Sequence, residues 1–208
     1  AVHPGYGFLA ENAAFARKAE EAGLTFVGPT PEAIDAMGDK IRAREAAEKA
    51  GVPVLPSAPV LDDEAKNKAA AESLGFPVLV KAAAGGGGRG MRRVDDAASL
   101  ADAVRAAQRE AASAFGDSRV YMEKFVVGPR HLEIQVFGDT HGRVLHLGER
   151  ECSVQRRHQK IIEEAPSPVV DAVLRDKMGS AATGLAASIG YRGAGTVEFV
   201  AAPDGRFY

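Results

Sequence analysis

Residues 81–94 read KAAAGGGGRGMRRV: four consecutive glycines and a fifth close behind, with lysine in front and arginine inside. Gly85, Gly87 and Gly90 satisfy G-x-G-x-x-G, but a glycine run meets that pattern easily, and the dinucleotide-binding version needs a helix directly after the loop. Here GMRRV reads as a returning strand. A Walker loop also fails, because no Gly-Lys-Ser/Thr closes the run. What remains is a Gly-rich hairpin whose bare backbone N–H groups can close over phosphates, with Lys81 on the incoming strand adding charge for the same anion. The alternative is a plain surface turn, which would not need five glycines and their entropy cost.

Around that hairpin, strands and helices alternate. HPGYGFLAEN leads into an Ala-rich helix through Glu21 that ends at Gly23, and LTFVG reads as a short strand before Pro29. Thr30, Pro31 and Glu32 form a helix start, and DKIRAREAAEKAG is a second helix stopped by Gly51. The Pro-rich VPVLPSAP reads as a connector, so a domain boundary is expected near Pro53 to Pro59. DDEAKNKAAAESLG is then helical and FPVLVKAA a strand. Asp96 is expected to cap a long helix with apolar positions at Ala97, Leu100, Val104, Ala107, Ala111 and Phe115. RVYMEKFVV, RHLEIQVFG and RVLHLGER read as a three-stranded antiparallel meander with DTHG as one turn. After a charged loop, VVDAVLRDKMGSAATGLAASIG is helical and GAGTVEFVAAPDGRFY begins a hairpin. The class is α+β, in at least two units.

Composition excludes several functions. The chain has 208 residues, is 46% hydrophobic and carries a formal net charge of -2 with a pI near 6.3. No apolar run approaches the roughly 18 residues of a membrane span. There is no basic excess of the kind that marks nucleic-acid binders. One cysteine, Cys152, excludes an internal disulfide framework and favours a reducing compartment. The start at Ala1 and the end on PDGRFY suggest a piece of a longer protein.

Three polar constellations remain. In RHLEIQVF the strand period puts His131, Glu133 and Gln135 on one face and Leu132, Ile134 and Val136 on the other, and the polar row faces either water or a ligand. ECSVQRRHQKIIEE packs Gln155, Arg156, Arg157, His158, Gln159 and Lys160 together, which suits an anion or, equally, a screened surface run answered by Glu163 and Glu164. In GTVEFV, alternation sends Glu198 to the face opposite Val197 and Phe199, where a carboxylate can serve Mg²⁺ if phosphates are near. No Cys or His spacing suggests zinc, and Cys152 has no base arrangement around it in sequence.

HPGYGFLAEN, MGDK, KAAAGGGGRGM, YMEKFV, PRHLEIQV, ERECSVQRRHQKIIEEAPSP and GYRGAGTVEF, in this order, resemble the biotin carboxylase family, including the biotin carboxylase subunits of acetyl-CoA, propionyl-CoA and related acyl-CoA carboxylases. The resemblance covers essentially the whole chain. It implies an ATP-grasp fold, partial here: residues 1–55 as the end of a Rossmann-like N-terminal domain with its linker helices, and 56–208 as the ATP-grasp domain, truncated at its C-terminus.

The resemblance also implies roles. Lys40 and Lys81 meet the ATP phosphates, with Gly85, Gly86, Gly87, Gly88 and Met91 in a mobile lid. Glu123 meets the adenine amino group or the ribose side, while Lys124 and Val126 offer backbone groups to the base. His131, Gln155 and His158 line the nucleotide site. Lys160 is the catalytic lysine that holds bicarbonate and carboxyphosphate, and Glu198 is one of two glutamates for Mg²⁺ (or Mn²⁺). The implied reaction is ATP-dependent carboxylation of biotin on a carrier by bicarbonate, with a biotin carboxyl carrier and a carboxyltransferase as partners and a homodimeric parent. Nucleic acid and membrane are not expected as partners. The implied location is cytoplasmic, or the mitochondrial matrix in a eukaryote. The family's second Mg²⁺ glutamate and an Asn-Thr-Arg run belong beyond Tyr208, so the 208 residues alone are expected to be inert. The glycine run also begins a position earlier in some members, where this chain has Ala84. Two alternatives stand beside this reading: another carboxyphosphate-forming ligase of carbamoyl-phosphate-synthetase type, and a non-catalytic nucleotide-binding module. A purely structural interaction domain ranks below both.

Overall fold

The structure is a computed structural model and describes residues 1–84, 91–156 and 159–208. Two compact units emerge from the contacts. One comprises Ala1–Pro53, Pro129–Arg156 and Lys160–Tyr208, and the other Val54–Gly128 with Gln159.

The Val54–Gly128 unit is a four-stranded antiparallel sheet under two helices. Its strands are β1 (Ser57–Pro59), β2 (Val78–Ala82), β3 (Arg92–Val94) and β4 (Val120–Lys124), in the order β1-β4-β2-β3. Helix α4 (Glu64–Leu74) starts where Asp63 accepts the Lys66 N–H at 3.0 Å, and α5 (Leu100–Phe115) stops at Gly116 with φ 71°. Together they cover Val78, Val80, Val94 and Met122 with Ala71, Leu100, Val104, Ala107 and Ala111, all buried. The Gly-rich return is confirmed in its flanks: β2 and β3 pair antiparallel, with Val78 opposite Val94. Gly85, Gly86, Gly87 and Gly88 lie outside the described residues.

Two expectations fail here. Asp96 does not cap α5: its carboxylate accepts the Ser99 N–H at 2.9 Å in the turn before the helix, which begins at Leu100 and leaves Ala97 outside. The side chain closes its own local turn, a competition typical of Asp. Nor do three strands form one meander. β4 is buried at four successive positions and lies between β1 and β2, while Gly128, at φ 61°, and Pro129 carry the chain away. Continuous burial is the mark of a central strand.

The second unit holds α1 (Ala13–Glu21), α2 (Pro31–Gly38), α3 (Lys40–Lys49), α6 (Ala172–Ser188) and a sheet of β5 (Arg130–Gly138), β6 (Val144–Arg156), β7 (Gln159–Glu164) and β8 (Gly193–Ala201), in the order β7-β6-β5-β8. Thr30 before Pro31 caps α2 as expected from sequence, and Asn12 caps α1, Asp39 α3 and Asp171 α6. The LTFVG strand reduces to a single bridge between Val2 and Phe26. Among the described residues Val2 is its one strand partner, and one bridge does not make a ladder. ECSVQRRHQKIIEE is not a loop: β6 runs on through Arg156, and the chain returns as β7. The described charged residues there belong to a strand pair, which a count of charges reads as a loop. Among the described residues, no helix is long and apolar enough to cross a membrane.

Candidate active site

The alternation along β5 divides that sheet into two chemistries. Leu132, Ile134 and Val136 are buried on one face. His131, Glu133 and Gln135 share the other, and Glu133 is only 2% exposed, so the polar row is not a solvated one. The hairpin through DTHG brings Arg150 of β6 opposite Glu133. Arg150 Nε donates to Glu133 Oε1 at 2.6 Å, and its Nη1 donates to Gln135 Oε1 at 2.9 Å. Gln135 in turn donates to the Gly195 carbonyl at 2.7 Å, tying the row to β8.

Lys160 reaches into this row from β7. Its ammonium donates to Glu133 Oε2 at 2.5 Å and to Glu198 Oε1 of β8 at 2.9 Å. His131 Nε2 also lies 3.4 Å from Glu198 Oε1, and Gln155 Nε2 lies 2.5 Å from His131 Nδ1 while donating to the Cys152 carbonyl at 2.8 Å. Four strands thus converge His131, Gln155, Lys160 and Glu198 on one face around a buried carboxylate. His158 lies outside the described residues.

The charges are set by this arrangement. Burial opposes the Lys160 charge most, but hydrogen bonds to Glu133 and Glu198 outweigh it and hold its pKa above the ordinary lysine value. Burial likewise works against an ionised Glu133, and Lys160 and Arg150 together still keep its pKa below the usual one. Glu198 is pulled down to about 2, first by its bond to His131 and, against some desolvation, by Lys160. Cys152 moves the other way. Desolvation first, then the Glu133 charge, pushes its thiol up to about 11, which leaves a poor nucleophile at neutral pH.

In the Val54–Gly128 unit, Lys81 of β2 donates to Glu123 Oε2 of β4 at 2.8 Å and lies 5.7 Å from the centre of the Tyr121 ring. Burial weighs most heavily against its charge, yet Glu123 and Tyr121 together raise its pKa. Lys124 uses its ammonium inside the fold, donating to the Gly75 carbonyl at 2.6 Å. Val126 stands just past the end of β4, and Met91 just before β3. Lys40 opens α3 in the other unit, directly after its capping Asp39.

Sequence reading missed Arg150 altogether and saw Glu133 only as one member of a row. The DTHG turn does not by itself fix their pairing, because a register shift between Ile134 and Val136 lies between the hairpin end and the Glu133–Arg150 pair. His131, Glu133 and Glu198 each bring a possible ligand atom within 4.8 Å of the others. Arg150 and Lys160 between them take both Glu133 oxygens, whereas the Lys160 and His131 contacts of Glu198 both fall on its Oε1.

Two four-stranded antiparallel sheets, one in each unit, and a row of charged and polar side chains on the second fit the ATP-grasp class. Residues 39–208 match the family model described as carbamoyl-phosphate synthase L chain, ATP binding domain, and residues 1–34 match that of the biotin carboxylase N-terminal domain. The chain belongs to the biotin carboxylase family. It is 53% identical over its whole length to a biotin carboxylase of Nostoc sp., covering 47% of that protein, and 51% identical to a pyruvate carboxylase of Aspergillus niger, covering 17%. A crystal structure of a biotin carboxylase-beta-gamma-ATP complex from Campylobacter jejuni superposes with a TM-score of 0.95 at 47% identity, over 99% of this chain and 46% of that one. The chain thus spans about half the length of the biotin carboxylases it matches.

Proposed function

We propose that this chain is the nucleotide- and bicarbonate-binding part of a biotin carboxylase, an ATP-dependent ligase that carboxylates biotin on a carrier through carboxyphosphate. The observation that carries the reading is Lys160, held charged between Glu133 and Glu198 on a face that also presents His131 and Gln155. An ammonium kept protonated by carboxylates beneath it offers a fixed positive charge to a carboxyl or phosphoryl oxygen without costly reorganisation. Lys81 is assigned as the corresponding charge for the nucleotide phosphates, and Gly85 to Gly88 with Met91 are assigned to cover them. Lys40 is assigned to the same phosphates, and His131, Gln155 and His158 to the walls of the nucleotide site. Glu123 is assigned to the amino group or ribose side of the nucleotide, with Lys124 and Val126 presenting backbone groups to the base.

Glu198 fits Mg²⁺ as a single hard oxygen ligand, and the ion, when bound, neutralises phosphate charge. Lys160 is the group that holds bicarbonate while its oxygen attacks the γ-phosphorus, so that the P–O bond to ADP breaks as the new P–O bond forms. The relatives named after biotin carboxylase and pyruvate carboxylase support biotin as acceptor. Residues 1–55 are assigned to the end of an N-terminal domain and 56–208 to the ATP-grasp domain. A biotin carboxyl carrier, a carboxyltransferase, a homodimeric state and a cytoplasmic location, or the mitochondrial matrix in a eukaryote, complete the proposal.

The test is ATP hydrolysis by the full-length protein with bicarbonate present and free biotin added or withheld, wild type beside Lys160→Ala. Biotin-stimulated turnover that falls at least about a hundredfold in the variant is expected from the loss of one preorganised charge. Turnover indifferent to biotin but stimulated by ammonia would instead assign the chain to a carbamoyl-phosphate type of ligase.

A further inference from the structure

Lys124 N–H donates to the Pro56 carbonyl at 2.8 Å, one step before the first residue pair of the β1–β4 ladder, Ser57 opposite Glu123. In an antiparallel ladder the residues of such a pair exchange two bonds, so the Lys124 carbonyl ought to receive an N–H from residue 56 in return. Proline has none to give. The neighbouring strand does not supply it either, because a strand residue directs its N–H and C=O to the same side, and here that side is β1 rather than β2. On the β2 side the bond is made one residue later, from Phe125 N–H to the Pro77 carbonyl at 3.2 Å. The ladder therefore hands over one backbone acceptor, at the point where β4 ends and the chain runs on to Val126.

We infer that Pro56 is a specificity-determining position: by withholding an N–H it reserves the Lys124 carbonyl for the exocyclic amino group of a purine. The inference rests on the nucleotide-site reading above. An acceptor at Lys124 and a donor at Val126, two residues further along the chain, complement a base edge that carries an amino donor beside a ring-nitrogen acceptor. Adenine presents that edge. Guanine presents a carbonyl beside a ring N–H, so its oxygen would confront the Lys124 carbonyl, a mismatch that leaves buried polar groups unpaired. Pro56 touches no reacting atom and acts through its partner's carbonyl, so it is a positioning residue. Pro59, three residues on in the same strand, has its nitrogen on the side away from β4 and reserves nothing.

Replacing Pro56 by alanine supplies the missing donor, which then competes with the base. The experiment measures dissociation constants of ATP and of purine riboside triphosphate, which lacks the amino group, for the full-length wild-type protein, Pro56→Ala and Pro59→Ala. The wild type is expected to favour ATP, and that preference is expected to shrink about three- to tenfold in Pro56→Ala, the worth of one hydrogen bond, and to persist in Pro59→Ala. A preference unchanged in Pro56→Ala would overturn the inference and leave the nucleotide site standing. Equal wild-type affinity for the two triphosphates would overturn it whether or not the variant folds. If the wild type binds neither triphosphate, the nucleotide-site reading itself fails.

Discussion

Cys152 lies fully buried on the site face of β6, where desolvation first, and then the nearby Glu133 carboxylate, raises its thiol pKa to about 11. Its thiol is expected to resist iodoacetamide at pH 8 in the folded protein and to react once denatured, as counted by mass spectrometry. Stoichiometric labelling of the native chain would contradict the assigned burial and charge. Glu149 illustrates a carboxylate with the opposite environment. It takes a two-pronged bond from Arg175, at 2.7 and 2.8 Å, and the Ser167 N–H at 3.1 Å, and these lower its pKa against some desolvation. A carboxyl with a depressed folded pKa stabilises fully above its unfolded pKa of about 4.3 and ceases to do so as pH falls through the folded value. Glu149→Gln is therefore expected to cost about 2 kcal/mol at pH 7, the worth of a hydrogen bond to a charged group. Urea midpoints should show that penalty shrinking toward pH 3.

At the scale of elements, α6 packs on the apolar face of β5 and β6 at a distance that glycine allows. A Cβ at Gly179 would meet the His146 ring of β6 at 2.5 Å, and that ring has a buried Nδ1 without a hydrogen-bond partner among the described residues. Gly179→Ala would force ring or helix to shift, costing about 1–3 kcal/mol in a thermal or denaturant melt. Most elements were legible one at a time. Helix α2 announced itself by its Thr30–Pro31 start, and β5 by strict alternation. Where neighbours decided the matter, local reading failed. Asp96 offers a cap signal but spends its carboxylate on Ser99, and Gln155 and Arg156 end β6 while Gln159 and Lys160 open β7, because β5 pairs with β6 and β6 with β7.

Across the whole molecule, each unit has a core of its own. Met122 is fully buried between α4, α5 and the flanking strands, and Met122→Ala is expected to cost about 2–5 kcal/mol, seen as a lower unfolding midpoint for the Val54–Gly128 unit. By itself the sequence determined the α+β class, the capped helices, the Gly-rich hairpin's flanks and the split of β5 into an apolar and a polar face, because these follow from local periodicity and backbone chemistry. It also carried, through the order of its motifs, membership of the biotin carboxylase family. Only the tertiary structure decided that β4 leaves the meander for another sheet, that Arg150 stands opposite Glu133, and that Lys160 is shared by Glu133 and Glu198. It alone revealed that Pro56 faces the Lys124 N–H. These are matters of register between strands far apart in the chain, and no local rule of composition or spacing specifies which residue a strand meets across a ladder.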